Sequence, residues 1–302
     1  MDQIKEIVMS WRAMDIINIA SEDEDVIKSL IKLLGEGDAT IRLRALTAIG
    51  ELIKNTDGKV KSEVLKMGLD RLLDLLRDSD GRIVSRALEV LSKLLEGMVI
   101  NDQRLLALIN ASIPLAERGD TFVYLSLLEL FRGLQVPSPS ERVREIIDDL
   151  LSSNNLYVRG LGMRLLLSSG GLDGNEKTAM ECAVGLLTSD NALLMETGLN
   201  FLEETIEFHP TPRVVRHLPG IINVLEDIEN DARSSLLRSR ASKLRDKVEK
   251  ILLSYYRSRR EEALEAIRKL LVEGRVEEAL NLTLILGGKS LLNESRAGKR
   301  IA

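Results

Sequence analysis

Residues 38–54, DATIRLRALTAIGELIK, decide the fold of this chain. The stretch opens with Asp38, and its apolar residues then follow at the spacing of one helical face. Related stretches open at Asp80 and Asp120, so the pattern returns roughly every 40 residues, which is typical of stacked helical hairpins. The repeated apolar positions are Ile41, Ala45, Leu46, Ile49 and Leu52 in the first copy; Ile83, Ala87, Leu88, Leu91 and Leu94 in the second; and Val123, Leu127, Leu128, Phe131 and Leu134 in the third.

Each copy is predicted to contain two helices, A and B, joined by a tight turn that ends in Asp or Asn. Such a residue can accept a hydrogen bond from a free amide in the first turn of helix B. Seven residues later the copies carry mostly small side chains, which would let neighbouring helices approach closely: Ala45, Ala87, Leu127, Gly162 and Gly198. The predicted A and B helices span 24–34 and 39–54, 62–76 and 81–96, 102–116 and 121–135, 140–151 and 156–168, 175–187 and 192–207, and 212–228 and 232–256.

Residues 38–45 resemble the core of the HEAT repeat and of the related armadillo repeat, and residues 80–87 and 155–162 match it in part. Pro114 and Pro219 lie where a proline often kinks helix A of HEAT repeats. The resemblance implies an all-α fold, a right-handed α-α superhelix of about six helical hairpins. It also implies that A helices line the convex side and B helices the concave side. It carries no catalytic residues.

Four segments are expected. Residues 1–20 form an N-terminal capping helix, residues 21–256 the HEAT-like array, residues 257–287 a C-terminal helical hairpin, and residues 288–302 a flexible basic tail. A cap covers apolar surface at an open end of an array. The N-terminal helix has apolar residues at helical spacing, and its tryptophan could instead anchor a partner. These residues are Ile4, Ile7, Val8, Trp11, Met14 and Ile17.

Composition favours a soluble chain from a reducing compartment. Hydrophobic residues make up 44% and the net charge is −5, which argues weakly against a general DNA coat. The single cysteine, Cys182, excludes an intrachain disulfide framework and fits a cytoplasmic protein. We expect no signal peptide and no membrane span. Only three glutamines beside many Glu, Lys and Arg residues indicate a thermophilic source.

No nucleophile–base or metal-ligand motif is apparent in the sequence. His209 and His217 are separated by two prolines and lack the neighbours of a zinc site. We therefore expect no cofactor, no metal and no enzymatic activity. A deep cleft with convergent carboxylates would reopen the alternative of an enzyme.

A basic segment lies near the C-terminus. Residues 231–260 contain ten basic and three acidic residues, a net charge of +7. An ordinary solvated helix explains such asymmetry best, although the asymmetry could also steer an acidic protein or a nucleic acid. The candidate binding residues in this segment are Arg238, Arg240, Lys243, Lys247, Arg257, Arg259 and Arg260.

The second candidate surface is a polar stripe on the B helices, at positions that point away from the predicted core. If these helices line the concave side, the stripe forms a mixed groove suited to a protein partner, either a peptide or a helix. The sequence therefore predicts a non-enzymatic interaction scaffold, with nucleic-acid or acidic-partner binding through residues 233–260 as the alternative. The candidate residues of the stripe are Thr47, Glu51, Glu89, Lys93, Glu129, Arg132, Arg164, Glu203 and Glu204.

Overall fold

The computed structural model describes residues 2–10, 19, 25–56 and 58–298, with side chains omitted at 2, 3 and 288–298. Within these ranges the chain is all-α, a HEAT/armadillo-like repeat fold, and contains 16 helices and no β-strand. It divides into two compact units, Met1–Gly170 and Gly171–Ala302. No helix among the described residues is both long and apolar enough to cross a membrane.

The N-terminal unit is built from helical hairpins at the positions that the repeat predicts. The nine helices described in this unit are α1 (Asp2–Met9), α2 (Asp25–Leu33), α3 (Ala39–Asn55), α4 (Gly58–Leu75), α5 (Gly81–Leu95), α6 (Asp102–Glu117), α7 (Thr121–Gly133), α8 (Glu141–Leu151) and α9 (Leu156–Ser168). The B helices α3, α5, α7 and α9 pack side by side in chain order, and each also contacts the A helix that precedes it.

The C-terminal unit continues with hairpins, but one predicted helix is divided. Residues 212–228 form two helices because Pro219 lacks an N–H group and begins a new helix after Leu218. Pro114, in contrast, lies inside an undivided α6. The helices described in this unit are α10 (Glu176–Leu187), α11 (Ala192–Phe208), α12 (Pro212–His217), α13 (Pro219–Asp231), α14 (Ser235–Tyr256), α15 (Arg260–Val272) and α16 (Val276–Gly298).

The turn residues cap the B helices as the sequence predicts. Asp38 and Asp80 accept hydrogen bonds from amides two residues ahead, at 2.7 and 2.9 Å. Asp120 accepts one from three residues ahead at 3.0 Å. Asn155 and Asn191 accept from amides two residues ahead, each at 2.9 Å. These bonds satisfy amides that have no partner within their own helix.

One arginine ties consecutive turns of the array together. The guanidinium of Arg42 on α3 donates to the carbonyls of Glu36 and Gly37 at 2.8 and 2.9 Å, in the turn before its own helix. It also lies 3.0 Å from the carboxylate of Asp78, in the turn before α5. Both side chains are largely buried, so the link holds neighbouring hairpins in register.

Two glycines allow the close packing within hairpins that the small positions predict. A Cβ added to Gly162 on α9 would lie 2.8 Å from the Cβ of Leu150 on α8. A Cβ on Gly198 of α11 would lie 3.0 Å from the Cγ of Leu187, at the end of α10. Hydrogen is therefore the only side chain that both sites accept without movement of their neighbours.

At the N-terminal end, α1 packs against α2 and α3, and Ile7 and Val8 are buried there. The helix ends at Met9, whereas residues 1–20 were expected to form one capping helix. Trp11, Met14 and Ile17, which that expectation also used, lie outside the described residues.

At the C-terminal end, α15 and α16 form the expected hairpin around Gly274, whose φ is +76°. A positive φ suits glycine because it has no Cβ. The helix α16 runs on through 288–298, a range that we expected to belong to a flexible basic tail. Residues 299–302 lie outside the described residues.

Candidate functional site

The first candidate site is the exposed surface that α3, α5 and α7 share in the N-terminal unit, called here the α3–α5–α7 face. The middle helix, α5, packs against both α3 and α7, so exposed positions of the three helices lie side by side. It carries six of the predicted candidates, all exposed or half-buried: Thr47 and Glu51 on α3, Glu89 and Lys93 on α5, and Glu129 and Arg132 on α7.

Charges on this face are mostly paired within one helix. The carboxylate of Glu89 accepts a hydrogen bond from Lys93 at 2.7 Å and another from Arg86. The bond from Lys93 lowers the pKa of Glu89 below its usual value; burial opposes this shift, and the bond from Arg86 adds to it. Glu129 and Arg132 lie 3.8 Å apart, with both side chains about two-thirds exposed. The charged candidates on this face are therefore of both signs, three acidic and two basic residues.

Two apolar side chains at the start of α7 were missed by the sequence analysis. Phe122 is 79% exposed and Leu125 is 45% exposed. Their spacing places them on the same side of α7 as Glu129 and Arg132. The sequence does contain a signal for Phe122. The equivalent positions in the first two copies carry a polar and a charged residue, Thr40 and Arg82, whereas the third copy has an aromatic residue there.

Arg164 does not belong to an exposed groove, and this corrects the sequence prediction. It is only 5% exposed. The reason is that α6, α7 and α8 all pack against α9, so this helix is covered on several sides. Residues 160–167 of α9 are all buried.

Glu203 on α11 faces the basic helix α14 of the same unit. Its carboxylate lies 3.1 Å from the guanidinium of Arg240, which is also 3.6 Å from Glu196. About two turns farther along α14, Lys247 lies 3.4 Å from Glu207. Acidic residues of α11 thus neutralise part of the positive charge that we expected to be available for a partner.

The other basic candidates have separate environments. Arg238 donates to the carbonyl of Ala232 at 2.8 Å. Arg259 stacks over the ring of Tyr255, with 4.3 Å between the guanidinium carbon and the ring centroid. Lys243, Arg257 and Arg260 are exposed and form no ion pair within the described part of the chain. The structure therefore does not gather the basic segment into one cationic patch.

A cavity of about 850 Å³ lies within the C-terminal unit, between α10, α12, α14 and α15. Five acidic and five basic side chains line it, together with His217 and Tyr256. Glu176 is buried there, accepts a hydrogen bond from the amide of Gly174 at 3.0 Å, and lies 3.7 Å from Arg213. The balanced lining does not select a ligand by charge.

The chemistry of this cavity is limited by its side chains. No serine, threonine or cysteine is among its described lining residues. Burial, followed by the positive charge of Arg275, lowers the pKa of His217, so the imidazole is neutral near pH 7. Across the described ranges, no three His, Cys, Asp or Glu side chains are placed to hold a metal ion. Cys182 is fully buried on α10 and packs with the core.

Comparison with known proteins gives structural neighbours only. No protein-family model and no curated protein sequence matches the chain. The crystal structure of an archaeal HEAT-like repeats protein from Thermococcus onnurineus NA1 is similar, with a TM-score of 0.66 and 26% identity over 83% of this chain and 97% of that one. An engineered protein has a TM-score of 0.45 and 18% identity, over 74% of this chain and 98% of its own. A designed armadillo repeat protein has a TM-score of 0.44 and 13% identity, over 74% and 99% respectively.

Proposed function

Because this chain has a HEAT/armadillo-like repeat fold, we propose that it is a non-enzymatic scaffold that binds a protein partner through the α3–α5–α7 face. The fold alone does not name a function, since one scaffold serves many roles. The proposal therefore rests on one surface and its chemistry.

The observation that carries the proposal is the exposure of Phe122. A phenyl ring that is 79% exposed leaves a large apolar surface in water, beside the partly exposed Leu125. Aromatic side chains surrounded by polar groups are the usual anchors of protein interfaces. Glu89, Lys93, Glu129 and Arg132 supply such a rim, with charges of both signs.

The chemistry of this face defines the kind of partner. Phe122 and Leu125 would pack against apolar side chains on one face of a helix or along an extended peptide. The rim would then pair with charges of both signs on that partner. A phosphate backbone fits poorly, because it requires an excess of basic residues.

The test is a quantitative comparison of proteins captured from native lysate by immobilised wild-type chain and by the Phe122→Ser variant. The matched control is Phe208→Ser, which removes a phenylalanine of similar exposure (69%) from α11. We expect at least one protein to be captured by the wild type and the control and to be lost with Phe122→Ser.

The captured protein is then tested against Glu89→Lys and Glu129→Lys. We expect both rim variants to lower its affinity, with a stronger effect at low salt because screening weakens charge pairs. The proposal is wrong if capture is equal for all variants, or if Phe208→Ser loses the same proteins as Phe122→Ser.

A further inference from the structure

Three aspartates of this chain are followed directly by glycine, at positions 57–58, 80–81 and 173–174. Such a pair can rearrange when the amide nitrogen of the glycine attacks the side-chain carboxyl carbon of the aspartate. Water leaves, and a five-membered succinimide ring forms. Glycine favours this reaction because it has no Cβ to obstruct the approach. Asp57 lies outside the described residues, so the structure compares the other two pairs.

The pair Asp80–Gly81 is protected by its neighbours. The carboxylate of Asp80 accepts hydrogen bonds from the guanidinium of Arg82 at 2.7 Å and from the amide of Arg82 at 2.9 Å. These two bonds, the guanidinium first, lower the pKa of Asp80 to about 2, so the carboxyl group stays ionised. An ionised carboxylate resists attack because it has no hydroxyl group to lose, and Arg82 also holds it in place.

The pair Asp173–Gly174 lies exposed in the turn between α9 and α10. Two hydrogen bonds fix the shape of this turn around the pair. The amide of Asn175 donates to the carbonyl of Leu172 at 2.9 Å, and the side chain of Asn175 donates to the carbonyl of Gly171 at 3.0 Å. The side chain of Asp173 has no hydrogen bond or ion pair within the described part of the chain. Its carboxyl group is therefore free to rotate toward the nitrogen of Gly174.

A base lies beside the attacking nitrogen. The amide of Gly174 donates a hydrogen bond to the carboxylate of Glu176 at 3.0 Å, which is within the range for proton transfer. Glu176 is only 5% exposed, so little water competes for this carboxylate. The same turn thus holds an unpaired carboxyl group, a glycine nitrogen and a proton acceptor.

We propose that Asp173 is a site of spontaneous covalent modification, where Glu176 assists the conversion of the Asp173–Gly174 linkage to isoaspartate. The inference goes beyond the proposed function, because it uses neither Phe122 nor the α3–α5–α7 face.

The reaction has two steps, and each is balanced. In the first, the nitrogen of Gly174 bonds to the Cγ of Asp173, and the bond from Cγ to its hydroxyl group breaks. Glu176 takes the amide proton and returns it to the departing hydroxyl group, which leaves as water. In the second, water opens the ring at either carbonyl carbon. Opening at Cγ restores aspartate, whereas opening at the main-chain carbonyl gives isoaspartate.

The product has one additional methylene group in the main chain and keeps one carboxylate. Its net charge is therefore unchanged. The longer main chain displaces the amide of Gly174 from the carboxylate of Glu176. Both residues line the cavity of the C-terminal unit, so the modification alters the edge of that cavity.

The first test incubates the folded full-length chain in H₂¹⁸O at mildly acidic pH and maps the label by peptide mass spectrometry. Each ring opening places one heavy oxygen in the aspartyl residue. We expect the peptide with Asp173 to gain label several times faster than the peptide with Asp80, and fragmentation to locate isoaspartate at 173. In chain denatured with guanidinium chloride, which serves as the control, the two peptides should gain label at similar rates.

The second test measures the same labelling in Glu176→Gln. The glutamine oxygen can still accept the hydrogen bond from Gly174, but it cannot take the proton. We expect the rate at Asp173 to fall about tenfold or more. Glu181→Gln is the matched control, since Glu181 lies on the same helix and lines the same cavity. Its rate should equal that of the wild type, and circular dichroism checks that both variants are folded.

Equal labelling of Asp173 and Asp80 in the folded chain overturns the proposal, and so does the absence of isoaspartate at 173. A rate that is unchanged in Glu176→Gln, or reduced equally in Glu181→Gln, overturns the role of Glu176. These outcomes would leave capture of a partner through Phe122 unchanged, so the two proposals fail independently.

Discussion

The guanidinium of Arg240 on α14 lies 3.1 Å from the carboxylate of Glu203 on α11. These residues were expected to belong to two different binding surfaces, the polar stripe of the B helices and the basic segment. Their pairing shows that charges on neighbouring B helices of the C-terminal unit satisfy one another. Much of the charge asymmetry in the sequence therefore serves packing between repeats.

Replacement of Arg240 should destabilise the C-terminal unit. Its guanidinium also donates to the side chain of Asn200 at 2.8 Å, and the arginine side chain is only 26% exposed. We expect Arg240→Ala to lower the free energy of unfolding by about 1–2 kcal/mol, measured by urea denaturation. The loss should shrink at high salt, because salt screens the charge pairs that the variant removes.

Lys243 provides the control for this prediction. It lies on the same helix, is exposed, and forms no ion pair among the described residues. Lys243→Ala should change stability by less than about 0.5 kcal/mol. Equal losses for the two variants would contradict a specific role for the pair between Arg240 and Glu203.

Gly162→Ala should destabilise the N-terminal unit. The added methyl group would lie 2.8 Å from the Cβ of Leu150 and 3.0 Å from the amide nitrogen of Leu151. Separation of α8 and α9 should cost about 1–3 kcal/mol, visible as a lower urea midpoint. Gly81→Ala is the control, since nothing lies within 4 Å of its added Cβ. That variant should be neutral or slightly more stable, and a similar loss at both sites would rule out a steric cause.

Asn155 should contribute to stability as a helix cap. Its side-chain oxygen accepts hydrogen bonds from the amides of Tyr157 and Val158, at 2.9 and 3.4 Å. Asn155→Ala should lower the free energy of unfolding by about 1 kcal/mol, and Asn155→Asp should retain most of it. Chemical denaturation of the three proteins checks this order. An aspartate variant as unstable as the alanine variant would argue against capping.

His217 should make stability depend on pH on the acid side of neutrality. Burial and Arg275 lower its pKa in the folded chain, with a smaller opposing effect from Glu181 and Glu176 and a further lowering by Lys177. The unfolded chain then binds the proton more readily than the folded chain does. The contribution of His217 to the free energy of unfolding is therefore fully present above a pH of about 6.5, and it is lost as the pH falls below that value.

The measurement compares the free energy of unfolding of the wild type and His217→Gln from pH 7 to pH 5. Acidic groups contribute to both curves, so the difference between the curves isolates His217. We expect the wild type to lose more stability than the variant over this window. Parallel curves would show that the folded chain binds the proton on His217 as readily as the unfolded chain does.

The hairpins could be predicted because the relevant forces act over a few residues. An Asp or Asn at the turn, followed by apolar residues on one helical face, reports a local preference that needs no distant partner. The predicted caps at Asp38, Asp80 and Asn155 therefore agree with the structure. The division of residues 212–228 at Pro219 was missed, although the proline was noted, because its position alone does not separate a kink from a break.

The candidate site was predictable only in part. Helical spacing correctly placed Glu89, Lys93, Glu129 and Arg132 outside the core of the N-terminal unit. The same spacing failed for Arg164, because its burial depends on how many helices pack around α9. That number is a property of the tertiary arrangement.

The sequence by itself determined the repeat, the capped helices and the small residues where helices touch. Each of these depends on residues close together in the chain. Only the tertiary structure decided which outward side chains remain available to a partner. It paired Arg240 with Glu203, which are 37 positions apart in the chain, and it left Phe122 exposed. The physical reason is that solvation of a charge or an apolar ring depends on every neighbour in space, whereas the helical period records only neighbours in sequence.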